Sequence, residues 1–302
     1  MPVLPRTRRL ILLLLLLMIV AAGLTIAPSL SSQAATPATR MVVVDGRAMR
    51  VRTQGLDQRQ PEKPVIVFEA GAGSGLETWD SVFTSAASLA PVIAYDRRGL
   101  GKSEADGQLQ TLKHVAGSLH GLLSALGASP PYLLVGQSYG GIIIRAYAQM
   151  YPTEVSGLVY LDATDVEVTY EETNALPPGA REVVFNVPAI PADAPSGLRA
   201  EMEYIVKNIR TEFAEVRTAR PPTNIPAAVV IGAGKNTLGA RPEIADALIR
   251  LQIKHQQEWA LQSPQGLVIT SKHLRHMVHQ NDPALTVRVI QHVLSAATTP
   301  RK

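Results

Sequence analysis

The sequence predicts an α/β fold: a mostly parallel central sheet with helices on both faces. Three observations carry that prediction. Short apolar runs rich in β-branched residues alternate with longer stretches of helical spacing, the pattern of strands joined by crossover helices. The runs are continuous rather than alternating, as strands covered on both faces require. In 302 residues, 46% hydrophobic side chains are ample for one sizeable core.

The first segment stands outside this pattern. Arg6, Arg8 and Arg9 lead into an unbroken apolar run from Leu10 to Ala22, which continues through Leu24 and Ile26 and breaks at Pro28. A positive stretch, an apolar stretch and the small residues of Ser32-Gln33-Ala34 before Ala35 have the form of an export signal with its cleavage site. The run also approaches the roughly 20 residues that span a bilayer, so an uncleaved membrane anchor is the alternative reading. Thr7-Arg8-Arg9 hints at a twin-arginine signal, but so apolar a run argues for the ordinary export route. With no polar face, a core helix is a poor reading of it. Residues 1–34 are therefore expected to be a signal or anchor, and 35–302 a domain exported to a secreted or extracytoplasmic location.

Within that domain, Met41 to Val44 and Met49 to Thr53, joined by Asp45-Gly46, read as an antiparallel hairpin. Parallel strands follow at Pro64 to Glu69, Pro91 to Tyr95, Tyr132 to Val135, Gly157 to Leu161, Ala227 to Ile231 and Gly266 to Thr270, each expected to be buried on both faces. Between them, Leu112 to Leu126, Gly140 to Met150, Pro242 to Leu261 and Pro283 to Ser295 have helical spacing or helix-starting prolines. One stretch breaks the alternation. Asp165 to Pro226 holds eight prolines around an amphipathic segment from Leu198 to Val216. So long an excursion near the carboxyl end of a sheet is predicted to be a functional lid, over about residues 165–226, the alternative being a decorative insertion.

Composition narrows the chemistry. The formal charge is +4, but without the three leading arginines the balance is 26 basic against 25 acidic residues, and no basic stripe is interleaved with aromatics, so nucleic acid is not an expected partner. The absence of cysteine excludes disulfides, thiolate metal sites and a thiol nucleophile.

Gly136-Gln137-Ser138-Tyr139-Gly140 sets a Gly-x-Ser-x-Gly motif directly after a predicted strand and before a predicted helix. Such a turn holds serine in strained geometry, and the two glycines let strand and helix approach without a side-chain clash. Serine needs a base and a group to orient that base. His273, His276 and His279 compete in the loop after the last strand; His276 is preferred for its distance from the Asp282-Pro283 helix start. His114, His120, His255 and His292 are expected to be structural. The acid commonly follows the penultimate strand, yet Gly232-Ala233-Gly234-Lys235-Asn236 has no carboxylate. Asp162, at the end of the preceding strand, is the favoured acid and Asp165 the next. For the oxyanion, the expected donors are the backbone N–H groups of Tyr139 and of Ala72, in the glycine-rich loop from Ala70 to Gly75. That loop lacks the Lys-Ser or Lys-Thr of a phosphate cradle.

On these residues, together with Trp79 and Asp96-Arg97-Arg98-Gly99-Leu100-Gly101-Lys102-Ser103, the chain resembles the α/β-hydrolase superfamily over nearly all of residues 40–297. Two positions depart from it: Ala70 stands where a histidine is usual before the oxyanion glycine, and Arg275 where a glycine is usual before the catalytic histidine. The resemblance implies an α/β-hydrolase fold and a hydrolase needing neither cofactor nor metal, with Ser138 as nucleophile, His276 as base and Asp162 as acid. The expected substrate is a small hydrophobic ester. An acyltransferase or carbon–carbon bond hydrolase with the same triad is the alternative, and an exported binding protein of the same fold the third reading. The oligomeric state is left open.

Overall fold

The computed structural model describes residues 36–298 apart from 187–188, 191–192, 212, 219–221, 235–238 and 264. The chain divides into two units, Met1–Ala35 and Thr36–Lys302, and every described residue belongs to the second. The expected export segment and its cleavage site lie outside the described residues.

Eight strands form one sheet in the order β1-β2-β4-β3-β5-β6-β7-β8. The hairpin is β1 (Ala38–Val44) and β2 (Arg47–Gln54), paired antiparallel from Ala38 opposite Thr53 to Val44 opposite Arg47. Asp45 and Gly46 have φ of 48° and 74°, the positive values a two-residue turn of this hand requires. The remaining strands are β3 (Val65–Glu69), β4 (Val92–Tyr95), β5 (Tyr132–Gln137), β6 (Val155–Leu161), β7 (Ala227–Gly232) and β8 (Leu267–Ser271), all mutually parallel. The expected burial on both faces holds for the strands as far as β7. It fails for β8, which is the sheet edge and only partly buried; among the described residues no strand pairs with its outer side.

The helices are α1 (Phe83–Ala87), α2 (Leu112–Ala125), α3 (Tyr139–Met150), α4 (Tyr170–Asn174), α5 (Ala180–Phe185), α6 (Ser196–Arg210), α7 (Ala214–Arg217), α8 (Pro242–Leu261), α9 (Val278–Asn281) and α10 (Pro283–Thr298). Side chains alternate along the strands, so two cores form. Val65, Val67, Leu134 and Val229 pack beneath Leu119 and Leu122 of α2 and Ile144 and Tyr147 of α3. Ile66, Phe68, Leu133 and Val135 pack against Phe83 of α1 and Val289, Ile290 and Val293 of α10.

Between β6 and β7 lie α4 to α7. The amphipathic segment from Leu198 to Val216 forms two helices, α6 and α7. Phe213 breaks it in the left-handed region at φ 56°, donating its N–H to Asn208 O and burying its ring to 6% exposure. Burial of one large aromatic outweighs the local cost of that backbone conformation, about 1–3 kcal/mol. The start of α6 is docked on the sheet's loops: Gly197 and Gly99 approach so closely that a Cβ on Gly99 would lie 2.6 Å from Gly197 Cα. Among the described residues, no helix is long and apolar enough to cross a membrane.

Helix and sheet backbones approach closely at Gly140, where a Cβ would lie 2.1 Å from Glu69 O and 2.7 Å from Ala70 O. Both are main-chain atoms that cannot swing aside. Gly140→Ala is expected to destabilise the fold by about 1–3 kcal/mol or more, read as a lowered urea midpoint, whereas Gly117→Ala, in open space within α2, leaves that midpoint unchanged or raised.

Candidate active site

The turn from β5 into α3 is strained at one residue. Ser138 has φ 53° and ψ −120°, a conformation that side chains rarely adopt, and its hydrogen bonds show what holds it there. Its N–H donates to Leu161 O at 3.2 Å, and its carbonyl accepts from Gly141 N at 3.0 Å and Thr164 N at 3.2 Å. Gly136 belongs to the same device: a Cβ there would lie 2.5 Å from Gly140 O. The two motif glycines thus serve the close approach that the sequence implied.

The same bonds sew the Ser138 turn to the end of β6, where Asp162 is a second strained residue at φ 44°. Asp162 donates its N–H to Val230 O at 2.7 Å, and its fully buried carboxylate accepts from Gly232 N at 3.1 Å through Oδ1. Its Oδ2 lies 2.7 Å from Nδ1 of His276. Asp165, the other candidate acid, faces elsewhere, 2.8 Å from Nδ1 of His255. The missing acid after β7 also finds its reason. Cβ atoms on Gly232 and Gly234 would lie 2.4 Å from Arg275 O and 2.0 Å from Lys272 O, so that strand end is the bare platform on which the histidine loop rests.

The three competing histidines separate by environment. His273 is exposed beyond β8. His279 is buried, its ring 4.5 Å from that of Trp79 and its Nε2 3.1 Å from Thr78 Oγ1; burial pushes it down to about 4, so it stays neutral. His276 alone pairs with Asp162 and leaves half of its side chain in solvent. No hydrogen bond joins His276 to Ser138 among the described residues; Nε2 of His276 instead lies 3.3 Å from Nε2 of Gln137.

The glycine-rich loop after β3 is organised by a residue that sequence placed only in a motif. Arg97, 3% exposed, donates to the carbonyls of Ala70 and Gly71, both at 2.7 Å, to Glu69 at 2.8 Å and to Glu201 of α6 at 2.7 Å. Because the Gly71–Ala72 peptide is trans, turning the Gly71 carbonyl toward Arg97 turns the Ala72 N–H the opposite way. The loop is against the serine: a Cβ on Gly71 would lie 3.3 Å from Ser138 Cβ. Tyr139 opens α3, where a first-turn N–H has no acceptor within the helix. Glu201, unremarked in sequence because its partners lie over 100 residues away, also accepts from Gly73 N at 2.6 Å, which keeps that N–H from any other acceptor. Burial would lower the Arg97 guanidinium, but the Glu201 and Glu69 carboxylates raise it above its ordinary value. Burial pushes Glu69 up, against the pull of Arg97 and of a Tyr95 hydroxyl that donates to it.

Beside Asp162 and His276 opens a cavity of about 510 Å³, walled by Val168, Val183, Val184, Ile209, Phe213 and Leu248. Its wall is thus mostly apolar, with Asp162, His276, Thr164, Asp165 and Gln252 as its polar lining. Ser138 is not among its lining residues.

Residues 63–196 match a family model described as the alpha/beta hydrolase fold. Among curated proteins, the uncharacterized protein YqjL of Bacillus subtilis is 37% identical over 97 residues, 32% of this chain and 38% of that protein. The chain therefore aligns with well under half of that relative's length. Among solved structures, a membrane phospholipase A described as a bacterial virulence factor superposes with a TM-score of 0.56 at 20% identity, covering 97% of this chain and 100% of that one. The epoxide hydrolase VrEH1 from Vigna radiata gives a TM-score of 0.61 at 17% identity over 86% and 98% of the two chains. At such identities the likeness is one of fold.

A second histidine–carboxylate cluster adjoins the site. His255 of α8, 5% exposed, has Nδ1 at 2.8 Å from Asp165 and Nε2 at 2.9 Å from Glu172 of α4, tying the segment after β6 to α8. Burial alone would lower it, but hydrogen bonds to Asp165 and Glu172 raise it from 6.5 to about 9. A raised histidine stabilises the fold fully below its unfolded value and loses that contribution as pH climbs through the folded one. The stability advantage of the native chain over His255→Gln is thus expected to be full just below about pH 6.5, to vanish as pH passes about 9, and to fall again in acid as the Glu172 carboxylate, held below its ordinary value by His255, takes up a proton, measured by chemical unfolding at fixed ionic strength.

Proposed function

We propose that this member of the α/β-hydrolase superfamily is a serine hydrolase cleaving ester-like bonds in small, hydrophobic substrates. The observation that carries the reading is the 2.7 Å contact between Asp162 and Nδ1 of His276, at a loop lying beside the strained turn of Ser138. A buried carboxylate on Nδ1 fixes the imidazole with its other nitrogen available as a base. In this mechanism His276 Nε2 takes the proton as Ser138 Oγ attacks the carbonyl, and the N–H groups of Tyr139 and Ala72 receive the developing oxyanion. The imidazolium returns the proton to the leaving alkoxide. Water, activated by the same nitrogen, then releases the acid and restores the serine. The Asp162 carboxylate stabilises the imidazolium.

The apolar cavity supports the substrate class, its volume falling in the range of small-molecule sites. Residues 165–226, with α4 to α7, are proposed as the lid that forms its outer wall. Export, by a cleaved signal or an uncleaved anchor in residues 1–34, is part of the proposal and rests on the sequence alone.

The test is turnover of a p-nitrophenyl ester series by the full chain. Ser138→Ala is expected to abolish hydrolysis, and Asp162→Asn to lower kcat by a factor on the order of 10³–10⁴; full activity in Ser138→Ala overturns the reading. Product analysis with added alcohol separates hydrolysis from acyl transfer. Ile209→Trp, which fills the cavity, is expected to lower kcat/KM for long acyl chains about tenfold while sparing acetate.

A further inference from the structure

The residue before the serine does more than fill the motif. Gln137 is 1% exposed, and its side chain reaches both the histidine loop and the glycine-rich loop after β3. The amide nitrogen lies 3.2 Å from the main-chain carbonyl oxygen of His276 and 3.3 Å from Nε2 of its ring. At the other end Oε1 packs on Gly71, where a Cβ would lie 2.5 Å from it.

The orientation of this amide follows from one neighbour. A main-chain carbonyl only accepts, so the amide atom beside His276 O is the NH2 group; the reversed amide would set two oxygens face to face. The same NH2 then meets Nε2, which must offer its lone pair. Nδ1, 2.7 Å from the Asp162 carboxylate, carries the ring proton. Both ends of the imidazole therefore call for one neutral tautomer, and a proton on Nε2 would oppose an N–H of Gln137.

We infer that Gln137 is a positioning residue for His276, holding the imidazole by its ring and its backbone and keeping Nε2 unprotonated until Ser138 takes the amide's place. The inference rests on the serine-hydrolase reading. The other ionisable neighbours do not supply this function. Asp162 acts on the opposite nitrogen, buried His279 is neutral, Asp165 is engaged by His255, and Arg275 is exposed with its N–H on Asn281. Once Nε2 has accepted the serine proton it cannot return to the amide, so the imidazolium remains directed at the reacting centre.

The experiment is the rate of Ser138 labelling by a fluorophosphonate as a function of pH, on the full chain, with Ser138→Ala as blank. In Gln137→Glu a carboxylate replaces the opposing N–H and favours the protonated ring, so the midpoint of the acid limb is expected to rise by about one pH unit or more. Gln137→Met, of similar size and without a donor, is expected to raise it by less and to lower the plateau rate. A merely structural glutamine would lower the plateau and leave the midpoint in place, so native midpoints in both variants overturn the inference. If Gln137→Glu does not fold, Gln137→Met decides alone. No labelling of the native chain at any pH defeats the serine-hydrolase reading, and the inference with it, a result distinct from an unmoved midpoint.

Discussion

At Ser138 the chain passes from β5 into α3 through a conformation that costs about 1–3 kcal/mol, and the surrounding structure is arranged to hold it there. Its N–H and carbonyl are bound to residues on either side of Asp162, so the strained turn after β5 and the strained turn after β6 support each other. Gly136 and Gly140 are the steric condition of this arrangement, because helix and strand backbones meet where any Cβ would collide. The consequence for the site is positional. Asp162, buried at the top of β6 and bonded to Gly232, comes within 2.7 Å of a histidine whose loop rests on the glycines after β7. Serine and acid are then fixed by main-chain bonds rather than by their own flexible side chains.

A buried guanidinium sets the other half of the site. Arg97 binds two loop carbonyls and two carboxylates, and one of those carboxylates, Glu201, comes from the segment between β6 and β7. Removing one partner of such a buried pair leaves an uncompensated charge, so the glycine-rich loop after β3 and α6 are coupled. With Gly197 pressed on Gly99 and Leu198 against Gly73, α6 is a docked helix. Any opening over the cavity must therefore come from elements other than this one.

Much of this was legible in the sequence, for reasons that differ by element. Strands β3 to β7 announced themselves as continuous apolar runs, and the serine turn by glycines whose spacing has a steric meaning. Asp162 and Asp165 could be ranked but not separated, because which carboxylate meets His276 depends on the turn after β6; the structure gives Asp165 to His255, a histidine expected to be merely structural. What sequence missed is long-range: Glu201 and Arg97 are 104 residues apart, and Gln137 meets His276 across 139. No local pattern encodes such meetings. One expectation yielded to tertiary context: the edge position of β8 left it half-covered despite an apolar composition. Within the amphipathic segment from Leu198 to Val216, burial of Phe213 accompanies the break between α6 and α7.

The central claim is that Ser138 is an activated nucleophile. Its most direct test is to treat the full-length chain with a fluorophosphonate near neutral pH and map the adduct by tryptic peptide mass spectrometry. The account predicts one stoichiometric adduct, on the peptide containing Ser138, and its loss in His276→Gln. Folded protein that carries no adduct, or carries it on another residue, would contradict the account.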